Sequence, residues 1–452
     1  MNYVIEPPVQ RRRQRAWATL AIILINVAVY VLTSYENFLT QITDEWMYRL
    51  AFIPVLIQEP SQWYRIFTSM FAHADILHIL FNMWALYIFG PSVERRIGSG
   101  KYLVLYLISG VIATIFHTAF IPVLGGINVI VPAIGASGAI SGVLGAYLLL
   151  FPYRPLTMCY FMFLIPLCFT SSASWFLIFW FATQVIYGYL RFGGVAFFAH
   201  VGGFIGGLAL IYFLAKRREP LSPFSLWEFR PGLERRAKAV LVILLVSVAG
   251  GAIYSMLIAD SMAGVYVYNV SVKVGGQVIE DQGVYTIDGN YVPPSINEAR
   301  IVLNRIVWSG LILNTNSYKT NTPVKISYRS MVPAQGCSNR IRISVDVNGV
   351  GMYDSRNILK WFNGTIVTDI ISITSNFYGY TVCSISERNV SFYAEISGED
   401  VSTPIAREVI PPFASIATLL IIIALLVVIY KDKELSEPLP WIFTPGYTSW
   451  WA

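Results

Sequence analysis

Ser137 lies in the stretch Ala133-Ile-Gly-Ala-Ser-Gly-Ala-Ile-Ser-Gly-Val-Leu-Gly145, between Gly135 and Gly138, where a loop gives way to a helix of small residues. A serine is a weak nucleophile until a base takes its proton. Flanking glycines let a substrate backbone approach. The free N–H groups and positive end of a helix N-terminus can stabilise a developing oxyanion. Small residues also serve helix packing: Gly138 with Gly142, and Ser141 with Gly145, are small-xxx-small pairs. His200 is the candidate base. It opens an apolar stretch in which Gly203 and Gly207 line one face, and that face could lie directly on the glycine face below Ser137. A histidine hydrogen-bonded for structure is the alternative. His78 and Asn82 stand four apart and share a helix face. Both can donate the hydrogen bonds an oxyanion site requires, or serve as interhelical glue.

All four histidines, His73, His78, His117 and His200, fall in or beside the first six apolar stretches. Chemistry that needs a base near neutral pH therefore belongs there. No His-Glu-x-x-His motif exists, so no metal site is expected, and no Gly-x-Gly-Asp motif points to an aspartyl site. No cofactor is expected.

The elements that position these residues are membrane spans. The chain has 452 residues, 55% hydrophobic and only 13% charged, where a soluble protein carries about 25% charged residues. Expected spans are roughly 16–34, 76–93, 102–121, 137–152, 173–190, 197–214, 239–259 and 412–430. The connection 35–72 carries Trp46, Tyr48, Phe52, Trp63, Tyr64 and Phe67 and is expected to lie in the membrane interface. Residues 156–170, broken by Pro166, are expected to be extended or re-entrant.

The net charge of +6 does not point to nucleic acid. Arg11, Arg12, Arg13 and Arg15, then Arg95, Arg96 and Lys101, Arg154, Lys216, Arg217 and Arg218, and Lys431 and Lys433 all fall on one side of the alternating spans. That is the positive-inside pattern. It puts both termini and the 216–238 linker in the cytoplasm and 260–411 outside. No cleavable signal peptide is expected.

Residues 261–411 are polar and β-rich. Period-two alternation marks 265–274, 324–328, 341–347 and 390–396, and Ser295 with Glu298 caps a helix expected to run to Trp308. A small sandwich-like β domain with one helix fits. Cys337 and Cys383 are the only cysteines in it and could form a disulfide. Asn269, Asn363 and Asn389 stand in Asn-x-Ser/Thr triplets, candidates for glycosylation.

Taken together, residues 16–215 resemble the rhomboid family of intramembrane serine proteases. Gly135-Ala-Ser-Gly138 resembles its Gly-x-Ser-Gly motif, His78 and Asn82 its second-span His-x-x-x-Asn, and Ala199-His200 with Gly203 and Gly207 its sixth-span motif. Trp63 to His73 resembles its first-loop signature, and Glu94 to Lys101 the turn after its second span. The resemblance implies a six-helix core with Ser137 as nucleophile and His200 as general base. It also implies an oxyanion hole of His78, Asn82 and the Ser137 N–H, with Glu94 and Arg96 tying helix ends together. Many members have an aromatic residue four positions after the nucleophile, stacked on the histidine. Here that position is Ser141. The orientation of His200 then falls to a hydrogen bond or to a neighbouring aromatic such as Phe197 or Phe198.

The expected organisation is a basic tail (1–15), a rhomboid-like α-helical polytopic core (16–215), a linker (216–238), and a seventh span (239–259). The β-rich extracytoplasmic domain (260–411), an eighth span (412–430) and a cytoplasmic tail (431–452) follow. The expected activity is cleavage of transmembrane protein substrates in the lipid bilayer by a Ser–His dyad. The alternatives are a non-catalytic rhomboid-like protein that binds membrane clients and, a distant third, a transporter. The outside domain, tethered by helices at both ends, is expected to screen or recruit substrates, or to bind an unrelated partner.

Overall fold

A computed structural model describes residues 16–162, 165–215, 228–229, 232–261, 264–274, 276–286, 310–313, 320–334, 339, 341–375, 381–437 and 439–440. The basic tail, most of the 216–238 linker, the expected helix from Ser295 to Trp308 and Cys337 lie outside the described residues. The chain divides into two compact units: Met1–Met262 with Ile405–Ala452, and Ala263–Pro404.

The first unit is helical, and its main helices are α1 (Trp17–Ser34), α2 (Ile76–Ile97), α3 (Ser99–Ala119) and α4 (Ser137–Leu150), then α5 (Ala173–Tyr189), α6 (Phe197–Leu214), α7 (Arg235–Ile258) and α8 (Ile410–Tyr430). Six spans among the described residues are long and apolar enough to cross a membrane. Four are α2, α3, α6 and α7; the other two are Trp17–Asn37, which extends α1, and Ser402–Tyr430, which ends in α8. The protein is a multi-pass membrane protein. In lipid, a helix satisfies its backbone polar groups internally, which is why these apolar runs are helices rather than open strands. α4 is shorter, with 14 residues.

The helix ends are fixed by specific acceptors. Asp75 caps α2, its Oδ1 accepting the His78 N–H at 2.9 Å. At the other end of α2, the buried Glu94 carboxylate caps α1 from outside. It accepts the Ala18 and Thr19 N–H groups, each at 2.8 Å, and the Thr19 and Ser99 hydroxyls, each at 2.7 Å. Those two N–H groups belong to the first turn of α1, where no helix carbonyl can reach them and the helix dipole favours an anion. Arg96 stands half-buried in the same turn of α2.

Between α4 and α5 the chain forms a hairpin of β1 (Pro155–Met162) and β2 (Ile165–Ser172). This is the extended segment around Pro166. A two-stranded ribbon is all edge, so it tolerates a residue without an N–H. Cys168 in β2 is disulfide-bonded.

α7 and α8 belong to this unit. α8 lies against α7, α3 and α6, and α7 lies against α5. Ser255 donates to the Ala119 carbonyl at 2.5 Å and Tyr189 to the Ser247 carbonyl at 2.8 Å. At the opposite ends, Lys238 pairs with the buried Asp432 at 2.8 Å, and Arg154 pairs with Glu437 at 2.9 Å.

The second unit is one antiparallel sheet of β3 (Val265–Val274), β4 (Gln277–Thr286), β5 (Val324–Pro333), β6 (Arg342–Tyr353), β7 (Leu359–Ser375) and β8 (Thr381–Asp400), in the order β4-β3-β8-β7-β6-β5. The β-rich reading holds, but the described strands join one sheet rather than the two of a sandwich. The reason is length: β7 and β8 run 17 and 20 residues and pair along nearly their whole extent, so every neighbour finds a partner in the same layer. Buried tyrosines keep their hydroxyls bonded, Tyr268 to the Leu359 carbonyl at 2.8 Å and Tyr353 to the Leu311 carbonyl at 2.9 Å. Asn269, Asn363 and Asn389 are exposed, and Cys383 is disulfide-bonded.

Candidate active site

Ser137 is the first residue of α4. The preceding turn needs glycine twice over at Gly135. Its φ is +126°, which side chains avoid, and a Cβ there would stand 2.7 Å from His78 Nε2. The turn is anchored by the 35–72 connection, which is folded into short helical turns. Phe52 and Ala133 exchange both backbone hydrogen bonds, at 3.0 and 2.8 Å, and the Gly135 N–H donates to the Ser69 carbonyl at 2.9 Å.

α4 and α6 meet backbone to backbone. A Cβ on Gly203 would collide with the Gly138 carbonyl, one on Gly207 with the Gly142 carbonyl, and one on Gly145 with the Phe204 carbonyl. Gly138 has the same tight fit on its other side, where a Cβ would stand 2.6 Å from the Ala113 side chain on α3. This close seam puts the first turn of α6 beside the first turn of α4. His200 Nε2 lies 2.7 Å from Ser137 Oγ. Both side chains are only partly buried, so the pair is reachable.

The other ring nitrogen, His200 Nδ1, lies 2.8 Å from Oε1 of Gln184 on α5. The Trp180 ring lies near-parallel to the imidazole, with centroids 6.2 Å apart, and Phe197 meets it edge-on at 6.4 Å. Phe198 stacks instead on Phe120. Ser141 turns away and donates to the Ser137 carbonyl at 2.6 Å. Gln184 and Trp180 escaped the sequence reading. The available signal was a lone buried carboxamide inside an apolar span, which is expensive unless it has a partner.

His78 comes to the Ser137 turn through Gly135. Its Nδ1 faces the Ala74 N–H at 3.5 Å, which leaves Nε2 as the protonated nitrogen on the Gly135 side. Asn82 is buried and donates to the carbonyl of His78 at 2.8 Å, which holds it to its own helix. The N-terminal N–H groups of α4 have no carbonyl within the helix to receive them. Groups of that kind can hold an oxyanion.

A small open pocket of about 50 Å³ adjoins Ser137, lined among others by Met70, Ala113, Thr114, His117 and Ala199. The buried His117 ring on α3 makes no hydrogen bond to the described residues. At 1.5 Å per residue, α4 spans about 21 Å, against a hydrocarbon core of about 30 Å. Among the described residues, no three His, Cys, Asp or Glu side chains cluster as metal ligands would.

Residues 60–217 match the Rhomboid domain family. The chain is 28% identical over 203 residues to Rhomboid protein 1, mitochondrial, of Saccharomyces cerevisiae, covering 44% of this chain and 54% of that one. It is 28% identical over 159 residues to the putative rhomboid protease YdcA of Bacillus subtilis, covering 35% of this chain and 71% of that one. It is 30% identical over 202 residues to the rhomboid protease GlpG of Salmonella paratyphi A, covering 44% of this chain and 64% of that one. The chain thus spans about half the length of the yeast relative, and the family match, residues 60–217, ends before α7. On these matches, residues 60–217 of this chain carry a Rhomboid domain.

Proposed function

We propose that this protein is an intramembrane serine endopeptidase that cleaves spanning segments of other membrane proteins with Ser137 and His200. The observation that carries the reading is the 2.7 Å contact between Ser137 Oγ and His200 Nε2 at a helix N-terminus. Ser137 Oγ attacks a peptide carbonyl carbon while His200 Nε2 takes its proton. The carbonyl electrons move onto oxygen, and the resulting oxyanion is held by the N-terminal N–H groups of α4 and by His78 Nε2–H, with Asn82 fixing the α2 turn that carries His78. Collapse of the adduct breaks the C–N bond, and His200 returns its proton to the leaving amine. Water then attacks the acyl-enzyme with His200 again as base, and Ser137 is regenerated.

A helix in lipid keeps its scissile bonds inside its own hydrogen-bond ladder. The substrate segment must therefore unwind before Ser137 can reach it. Substrates with small or helix-destabilising residues near one end of the span are preferred, and the pocket beside Ser137 receives the side chain next to the scissile bond. The charge pattern supports a reading with both termini in the cytoplasm and residues 260–411 on the opposite side. In this reading that unit selects substrates, and replacing it with a short linker alters substrate preference while leaving probe reactivity unchanged.

A fluorophosphonate probe, which phosphonylates activated serines, tests the proposal on lipid-reconstituted protein. Labelling of wild type with none in Ser137→Ala or His200→Ala is expected. No labelling of folded wild type would overturn the protease reading in favour of a client-binding protein.

A further inference from the structure

We infer that Gln184 is a positioning residue for His200, a neutral third member that fixes its tautomer. This rests on the protease reading above. The argument is a chain of hydrogen bonds whose direction is forced from one end. The Trp180 carbonyl can only accept. It takes the Thr183 hydroxyl proton at 2.7 Å, so Thr183 Oγ1 is left as an acceptor toward its neighbour. Gln184 Nε2 stands 3.1 Å from that oxygen and 3.4 Å from the Trp180 carbonyl, and both contacts require a donor. The amide nitrogen therefore points at Thr183, and Oε1 points at His200.

Oε1 is an acceptor only, so the 2.8 Å contact requires the proton on His200 Nδ1. A neutral imidazole with its proton on Nδ1 carries its lone pair on Nε2. That lone pair faces the Ser137 hydroxyl at 2.7 Å. The tautomer that can act as general base is thus selected from α5, through four groups, without a buried charge. A carboxylate in the same place would carry a large desolvation cost. The Trp180 ring lies beside the imidazole, with centroids 6.2 Å apart and planes 29° apart. Gln184 thus orients His200 without a contact from position 141, where this chain has a serine that donates to the Ser137 carbonyl.

Gln184 is buried at 7% exposure on a face of α5 where Ser174, at the far end of the helix, is the other buried polar residue. A buried amide without partners is costly, so a structural amide would pair with any available backbone. This one spends its acceptor on His200.

The test uses full-length protein in lipid, with two readouts. One is the rate of fluorophosphonate labelling. The other is the ¹⁵N spectrum of protein labelled only at histidine, which carries just four such residues. Wild-type His200 is expected as the Nδ1–H tautomer, assigned by its loss in His200→Ala. Gln184→Met keeps the volume and removes the acceptor. It is expected to slow labelling about tenfold to hundredfold, less than the ~10⁴-fold lost when the charged third member of a serine triad is mis-set, and to mix the two tautomers of His200. Gln184→Glu, protonated so that its hydroxyl replaces the amide donor toward Thr183, keeps an acceptor for His200 Nδ1 and is expected to recover part of the labelling rate. Wild-type labelling together with an unchanged rate and spectrum in Gln184→Met would overturn the inference and leave the protease reading intact. Unlabelled wild type would overturn both. Should Gln184→Met fail to fold, the wild-type spectrum decides alone: a neutral His200 protonated on Nε2 sinks the inference.

Discussion

On α2, Leu80, Phe81, Trp84 and Tyr87 face outward while Asn82 and Glu94 are buried. On β6 the order is reversed: Ile343, Val345 and Val347 are buried and Arg342 and Asn348 are exposed. The two units answer to different solvents. In the sheet unit, burying apolar side chains is the driving force and a buried polar group is the exception. In the helical unit the outside is as apolar as the inside, so association rests on close packing and polar contacts. The difference has a consequence for reading function. Three of the polar residues buried in the helical unit serve an identifiable end. Glu94 caps α1, Gln184 meets His200, and Asn82 holds the His78 turn. In the sheet unit the same residue types hold strands together, as Asp369 does by accepting the Ser344 and Asn389 N–H groups.

The largest expected effect is at the glycine seam. Gly203→Val forces the α6 and α4 backbones apart and is expected to cost more than about 4 kcal/mol, the range reserved for severe core disruption. Gly100→Val, with open space around it, is expected to be near neutral. Thermal unfolding in detergent separates them, and equal stability would mean the helices are not held by backbone contact. Next is Glu94→Ala, which strands two N–H groups and two hydroxyls. It is expected to cost about 2–3 kcal/mol, with Glu94→Gln intermediate. Asp369→Ala is expected to cost about 1–2 kcal/mol and to lower the melting of the sheet unit while leaving probe labelling of Ser137 unchanged. A fall in labelling would show that polar burial in the sheet unit also serves the site. The smallest effect is at the lipid face: Phe81→Leu is expected to change stability by less than about 0.5 kcal/mol. A loss of several kcal/mol there would break the contrast between the two solvents.

Much of this was legible in the sequence because it depends on local pattern. The apolar runs mark the helices, and the glycine spacing in α4 and α6 marks the faces that meet. What stayed hidden depends on pairing between distant segments. Gln184 is one polar letter in an apolar run, and its partner is named only once α5 and α6 are side by side. The single sheet was hidden for a similar reason. Alternation shows that β7 and β8 are strands, but their long shared register, Trp361 with Ser397 through Ser375 with Thr381, is a property of pairing and not of either segment. The Glu94 cap was legible as a helix-end residue only through family likeness, since the groups it accepts from serve α1, some seventy-five positions earlier.

The glycine seam between α4 and α6 also separates two kinds of change that the chain can undergo. The spacing of Ser137 and His200 is set where main-chain atoms touch, and main chain does not vary with sequence. Residues outside the seam can drift to suit thicker or thinner bilayers, other lipids or other neighbours, and the interval between Ser137 and His200 stays the same. The ruler of this site is the part of the polypeptide that has no side chain to lose.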